Sequence, residues 1–273
     1  MNTIDVSVII STYNQPEWLE KVLWSYHYQT FKNFEIVIAD DGSSNSTKLC
    51  IDNMRTKVCC PIKHIWHEDN GFQKTIILNK ATVAAQGNYL VFTDGDCIAR
   101  NDFLEVHVSK RSPGYFLSGG YFKLPMDISK LIAKKDIENQ NCFDISWLKN
   151  NGLKESVKNS KITSRGLKRY LLNTFTPTTR SWNGHNASGY KLDIITTNGF
   201  DERMQYGGED RELGERLINA GLKVKQIRYL AICLHLDHKR GYVNDDMIRL
   251  NKSIRLNTKQ NKLKKTVFGI KKN

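Results

Sequence analysis

The sequence predicts an α/β fold: a doubly wound, mostly parallel sheet with helices on both faces. Three observations predict it. Apolar, β-branched runs such as Val6 to Ile10 and Phe34 to Ala39 are continuous rather than alternating, as in strands buried on both faces. Segments with apolar residues at helical spacing separate them, so strand and helix alternate through the first hundred residues. Finally, Thr12-Tyr13-Asn14, Asp40-Asp41 and Asp94-Gly95-Asp96 each lie just after a strand. In a doubly wound sheet such clusters meet beyond the carboxyl ends of the strands, where ligands bind.

The elements follow in order. After the Val6 to Ile10 strand, Pro16 suits a first helical position, and Leu19, Val22, Leu23 and Tyr26 mark a helix over Glu17 to Tyr28. Phe34 to Ala39 is the second strand, Thr47 to Met54 a short helix and Ile62 to Trp66 the third strand. Lys74 to Ala85 reads as a helix closed by a left-handed Gly87, and Tyr89 to Thr93 as the fourth strand. From Tyr121 to Arg180 the chain reads as a helical, basic insert with breaks at Asn150-Asn151-Gly152 and Pro177. Order returns with a helix over Asp210 to Ala220, capped by Gly221, and short strands at Val224 to Ile227 and Ala231 to Leu236. A lysine-rich helix is expected over Asp245 to Ile270. These divisions suggest a first half (1–120), the insert (121–180), a second half (181–245) and a basic C-terminal helix or tail (246–273).

The 273 residues, 40% hydrophobic and 25% charged, suffice for a sizeable core and exclude a disordered chain. No apolar run reaches the roughly 18 to 20 residues of a membrane span. Val6 to Ile10 is too short for a signal peptide, so a cytoplasmic protein is expected. Its six cysteines include no C-x-x-C pair, so free thiols are expected. Cys59-Cys60 with His64 and His67 fits no familiar zinc spacing. The net charge of +13 concentrates between Lys123 and Arg169 and in the tail from Lys259 to Lys272, which holds six lysines and no acid. Such surfaces attract phosphorylated substrates, anionic lipid or nucleic acid, and solvated basic faces look the same. Leu263, Val267, Phe268 and Ile270 among the tail lysines suit either a membrane surface at the inner face of the cell membrane or a solvated tail.

Asp94 and Asp96 carry the clearest chemistry. Side chains two apart on a strand point the same way, so both carboxylates should project from the strand end, with Gly95 leaving room for a ligand. Such a pair suits a hard divalent cation, and the cation a diphosphate; alone, it also fits a solvated turn. His235 and His238, three apart at a strand end, could both reach one ion or simply be surface or core histidines. Imidazoles would favour Mn²⁺ over Mg²⁺. Asp210 would open a helix whose dipole favours its ionised form, with Glu209 beside it. Trp182 and Asn186 sit in a loop suited to sugar rings, although Trp182 fits core packing equally.

The chain resembles family-2 glycosyltransferases of the GT-A fold. The resemblance rests on Val6 to Asn14, Phe34 to Ser43, Asp69-Asn70-Gly71-Phe72, Gly87 to Cys97, Asn198 to Glu202 and Gly207-Gly208-Glu209-Asp210, in family order. The C-terminal part resembles the galactosyltransferase-type module of β-1,4-galactosyltransferases and chondroitin-polymerase-like enzymes. The resemblance implies that Thr12, Tyr13 and Asn14 line the nucleotide pocket, and that Asp41 accepts a hydrogen bond from uracil, hence a UDP-sugar. It further implies Asp94 at the ribose, Asp96 on the metal with His238 and His235, Asp210 as base and Glu209 on acceptor hydroxyls. Relatives carry arginine where this chain has Gln73, which offers the diphosphate no charge; Lys74 would point about 100° away. The implied activity is inverting, metal-dependent transfer of a hexose or N-acetylhexosamine to a glycan or lipid-linked glycan. Galactose or N-acetylgalactosamine is favoured, and bacterial surface polysaccharide is the expected product. A sugar nucleotidyltransferase would need a Gly-rich basic loop, which Ser11 to Pro16 lacks. A non-catalytic glycan or nucleic-acid binder would not need the acids, and no nucleic-acid partner is expected.

Overall fold

The computed structural model describes residues 3–178, 180–239 and 244–272. Ten strands are present: β1 (Val6–Thr12), β2 (Phe34–Asp40), β3 (Ile62–Trp66), β4 (Tyr89–Asp94), β5 (Cys97–Ala99), β6 (Tyr115–Ser118), β7 (Gly120–Lys123), β8 (Ala187–Tyr190), β9 (Lys223–Gln226) and β10 (Ile232–His235). Seven of them form one sheet in the order β3-β2-β1-β4-β8-β6-β9. The β3-β2-β1-β4 half is parallel, whereas β8 runs antiparallel to β4 and β6. A second, three-stranded sheet, β5-β10-β7, holds the strand that ends in His235. The chain leaves β1 toward β2 and β3, then returns to β4 on the other side of β1. That reversal is a switch point, where a crevice opens beyond the strand ends.

The strands alternate their side chains between two cores. Val8, Ile10, Ile36, Ile38 and Val91 enter one core, packed by α1 (Pro16–His27) and α2 (Asn45–Arg55). Ile9, Val37, Ala39, Leu90 and Phe92 enter the other, against Ile77, Leu78 and Ala81 of α3 (Lys74–Ala84). Helix α4 (Phe103–Lys110) follows β5. The insert is a series of short helices: α5 (Met126–Leu131), α6 (Lys134–Glu138), α7 (Ile145–Asn150), α8 (Ser160–Thr163) and α9 (Gly166–Phe175). Its Ile128, Ile137, Phe143, Leu148 and Ile162 complete the first core.

The remaining helices are α10 (Lys191–Thr196), α11 (Glu209–Asn219) and α12 (Asp245–Gln260). Helix α11 is pinned by Arg216, whose side chain is wholly buried. Its guanidinium donates to both oxygens of Glu212 and to the Thr197 and Gly199 carbonyls, while Thr258 on α12 donates to Glu212. Removing one partner of a buried, hydrogen-bonded ion pair strands the other, at about 3–5 kcal/mol. Arg216→Ala is therefore expected to lower stability by that amount in urea denaturation.

Two expectations need correction. Gly87 is not left-handed; α3 ends in extended backbone at Ala85. Glycine is needed at 87 because a Cβ would lie 2.6 Å from the Ser7 nitrogen. The C-terminal helix stops at Gln260 rather than Ile270. The chain then folds back on the body, with the Asn198 amide donating to the Thr266 and Lys271 carbonyls and Ile270 N–H to the Asn198 carbonyl. These tertiary partners compete successfully with helix propagation. All six cysteines are free thiols, as expected.

Candidate active site

An open cavity of about 540 Å³ lies at the switch point between β1 and β4. Its volume is in the range of small-ligand sites. Ser11 to Asn14, Asp41, Lys74, Asp94 to Asp96, Glu209, Asp210, His235 and His238 all line it. Residues from six stretches of sequence thus converge on one cavity.

Asp94 ends β4 directly opposite Ser11 of β1. Its Oδ1 accepts from the Ser11 hydroxyl at 2.7 Å and from Lys74 Nζ at 2.8 Å. Burial opposes its ionisation, but the charge and hydrogen bond of Lys74, with His185 and Ser11, hold the carboxyl well below the ordinary range. Lys74 is itself kept protonated: Asp94, Asp210 and Glu209 outweigh the effect of its burial. This corrects the sequence reading. At the start of α3, Lys74 points into the cavity, while Gln73 contributes its backbone N–H to Asp41 Oδ2 and is not among the lining residues.

Asp41 forms another wall of the cavity. His67 Nε2 lies 2.7 Å from its Oδ1. Burial raises the Asp41 carboxyl, against the pull of His67 and the Gln73 amide. Tyr13 is half-exposed at the rim and donates to Asp69. Asn14 lines the cavity, but its side-chain oxygen is occupied by the Ser44 N–H. Thr12 Oγ1 is buried with no hydrogen-bond partner among the described residues.

Across the cavity, Asp96 Oδ2 lies 3.0 Å from His238 Nε2 and 3.7 Å from His235 Nε2. One ligand atom from each falls within 4.8 Å of the others, close enough to share an ion. His235 ends β10, whose pairing with β5 sets it opposite Cys97. His238 Nδ1 lies 3.0 Å from the Lys239 carbonyl. With Nδ1–H donated there, Nε2 could serve an ion shared with Asp96. One carboxylate with two imidazoles is a donor set that fits a first-row divalent transition-metal ion.

Gly207 and Gly208 adopt consecutive left-handed conformations before α11, which suit glycine. They deliver Glu209 and Asp210 to the cavity wall, and Glu209 Oε2 accepts the Gly207 N–H. Asp210 Oδ1 is shut from solvent without a partner among the described residues. A Cβ on Gly184 would meet its other oxygen at 2.5 Å, so the 182–186 loop closes directly over it. Burial, with Glu209 and Asp94 nearby, raises the Asp210 carboxyl to about 7, against Lys74 and the Gly184 amide. The helix dipole was expected to depress it; desolvation and two neighbouring carboxylates prevail.

Two predicted site residues belong to the interior. Trp182 is fully buried, 5.3 Å from the Phe92 ring and 5.6 Å from Phe116. Asn186 is fully buried too, donating to the Gly120 and Ala231 carbonyls and meeting His107. Neither can face a sugar; both hold the loop that covers Asp210. Sequence reasoning missed Lys74, His67 and the edge-to-face pair of Phe72 and Tyr206 on the rim. Phe72 stood within a motif, but its pairing depends on a residue more than a hundred positions away.

Comparison with known proteins agrees with this geometry. Residues 7–114 match the family model described as glycosyl transferase family 2. Residues 179–239 match the one described as the N-terminal domain of galactosyltransferase. The uncharacterized glycosyltransferase YfnE of Bacillus subtilis is 26% identical over 277 residues, covering 90% of this chain and 68% of its own length. Chondroitin synthase of Escherichia coli is 23% identical over 236 residues, covering 81% of this chain and 33% of that protein. Among solved structures, the mannosyltransferase PcManGT from Pyrobaculum calidifontis, in complex with GDP-Man and Mn²⁺, has a TM-score of 0.57 at 18% identity. It covers 89% of this chain and 59% of its own. S. aureus TarS 1–349, in complex with UDP-GlcNAc, has a TM-score of 0.58 at 15% identity, over 94% of this chain and 69% of its own. At these identities the two structures establish a shared fold. With both family models and the fold in agreement, residues 7–114 form a family-2 glycosyltransferase region, and the chain is a glycosyltransferase of the GT-A fold.

Proposed function

We propose that this protein transfers a hexose or N-acetylhexosamine from a UDP-sugar to a glycan acceptor, with inversion and with a bound Mn²⁺. Galactose or N-acetylgalactosamine is favoured as the donor sugar, with the glucose series as the alternative, and bacterial surface polysaccharide is the proposed product. One observation carries the reading: a single cavity holds a nucleotide-side carboxylate, a carboxylate and two imidazoles at metal-ligand spacing, and a carboxyl raised to about 7.

Asp41 and Tyr13 form the uridine side, and Asp94 meets the ribose. Asp96, His235 and His238 would hold the ion, which when bound supplies charge stabilisation for the departing diphosphate. Lys74 presents a second positive charge from a desolvated wall, the role that Gln73 cannot fill. Asp210 takes the proton from the acceptor hydroxyl as that oxygen attacks the anomeric carbon, and its raised pKa suits a base working near neutral pH. Glu209 orients acceptor hydroxyls. The galactosyltransferase-type match over 179–239, which includes His235 and His238, supports the preferred donor. The chondroitin synthase relative supports a polysaccharide acceptor.

The test is nucleotide release from a panel of UDP-sugars and GDP-mannose, with Mn²⁺ and with EDTA. Release of UDP from one sugar, lost with EDTA, is expected. No release, together with no Mn²⁺-dependent UDP binding by calorimetry, would overturn the reading. Lys74→Met should weaken donor kcat/KM by about 10–100-fold through the loss of one preorganised charge. Donor KM and the Kd for UDP measure how much of that loss is binding.

A further inference from the structure

We propose that α9 is an in-plane membrane anchor that seats this protein on an anionic bilayer surface. The inference goes beyond the transfer reaction and does not depend on it. A helix on a globular surface normally turns its apolar stripe inward, whereas α9 carries most of its apolar residues outward and only Leu172 toward the body. Leu167, Leu171 and Phe175, four apart on one stripe, are 75%, 48% and 75% exposed, with Tyr170 alongside at 50%. None of the helix's residues is buried. Its body-facing side is mixed: Leu172 is half-buried there, Asn173 donates to the Gln226 carbonyl and accepts from Tyr229 N–H, and Thr176, just past the helix, reaches the Tyr229 hydroxyl.

The charge around this stripe identifies the occupant. Residues 154–180 carry seven Lys or Arg and one acid, Glu155, for a net charge of +6. An apolar stripe flanked by cations lies well at the boundary of an anionic lipid leaflet, where the apolar residues insert and the cations meet headgroups. A second copy would bring the same +6 against it, which disfavours self-association through this face. The segment is also tied to the cavity. Lys161 donates to the Tyr121 carbonyl at 2.8 Å, and the Tyr121 ring lies 4.9 Å from the His235 ring.

The experiment is cosedimentation of the full chain with vesicles of phosphatidylcholine alone, or with one third phosphatidylglycerol. Wild type should prefer the anionic vesicles by at least about tenfold. The triple variant Leu167→Glu, Leu171→Glu, Phe175→Glu alters exposed side chains only. It should keep its melting temperature and its vesicle-free UDP release, yet lose vesicle binding by about tenfold or more. Wild type that fails to bind would overturn the proposal. So would a triple variant that binds undiminished, which would assign binding to charge elsewhere, such as the lysine-rich tail. A wild-type dimer in light scattering that the triple variant dissolves would make the face an interface between copies, and would also overturn it.

Discussion

Asp210→Asn is expected to lower kcat and kcat/KM together by about 10²–10⁴-fold, the range for losing a general base. Donor affinity should hold, because the shape is kept and the proposed nucleotide wall at Asp41 and Tyr13 lies elsewhere in the cavity. In the wild type, kcat/KM should rise with pH and level off above about 7, where the Asp210 carboxyl becomes ionised. The same shift carries a stability signature. The carboxyl titrates near 3.8 when free and about 7 when folded. Between those values the native state keeps a proton that the unfolded chain releases, so stability falls as pH rises through that window. Below it both states are protonated and the penalty vanishes. In EDTA, Asp210→Asn should therefore melt roughly 2–6 °C above wild type at pH 8, with the gain gone by pH 3. A gain that ignores pH would refute the account of this carboxyl as desolvated.

Asp96→Ala should be the second severe loss, about 10²–10³-fold in kcat/KM at fixed Mn²⁺. Asp96 is the shared neighbour of both imidazoles, so its removal dismantles the cluster rather than one arm. His238→Ala and His235→Ala should each weaken Mn²⁺ while leaving a two-ligand site. Titrating Mn²⁺ by electron paramagnetic resonance, with no donor present, reads these affinities independently of turnover. Unchanged Mn²⁺ affinity in Asp96→Ala would move the metal centre away from these three residues.

Much of the fold was legible because its strands are long, apolar and separated by periodic helices. The structure matches the expected β3 bounds and lies within a few residues of those expected for β1, β2 and β4. Convergence of the strand-end acids was legible too, since a parallel sheet brings like ends to one edge. Side-chain direction at the site was harder to read. Lys74 was misjudged because its orientation follows from how α3 enters the cavity, not from its angle relative to Gln73. Residue type suggests a sugar-facing Asn186 and leaves Trp182 open between sugar and core; the 182–186 loop packs both into the interior. The tail was read as one helix because the hydrogen bonds from Asn198 that break it come from some seventy residues away.

Local pattern alone therefore established β1 to β4, β9 and β10 and which acids follow them, whereas β5 to β8, short and without a clear apolar run, emerged only in the folded chain. Contacts between distant segments established how those acids behave. Asp210 opens a helix whose dipole should favour the anion, yet it is held protonated up to about 7 because burial desolvates it and Glu209 and Asp94 crowd it, against Lys74 and the Gly184 amide. Desolvation and charge proximity depend on distances in space, and a one-dimensional sequence encodes those only through the folded chain.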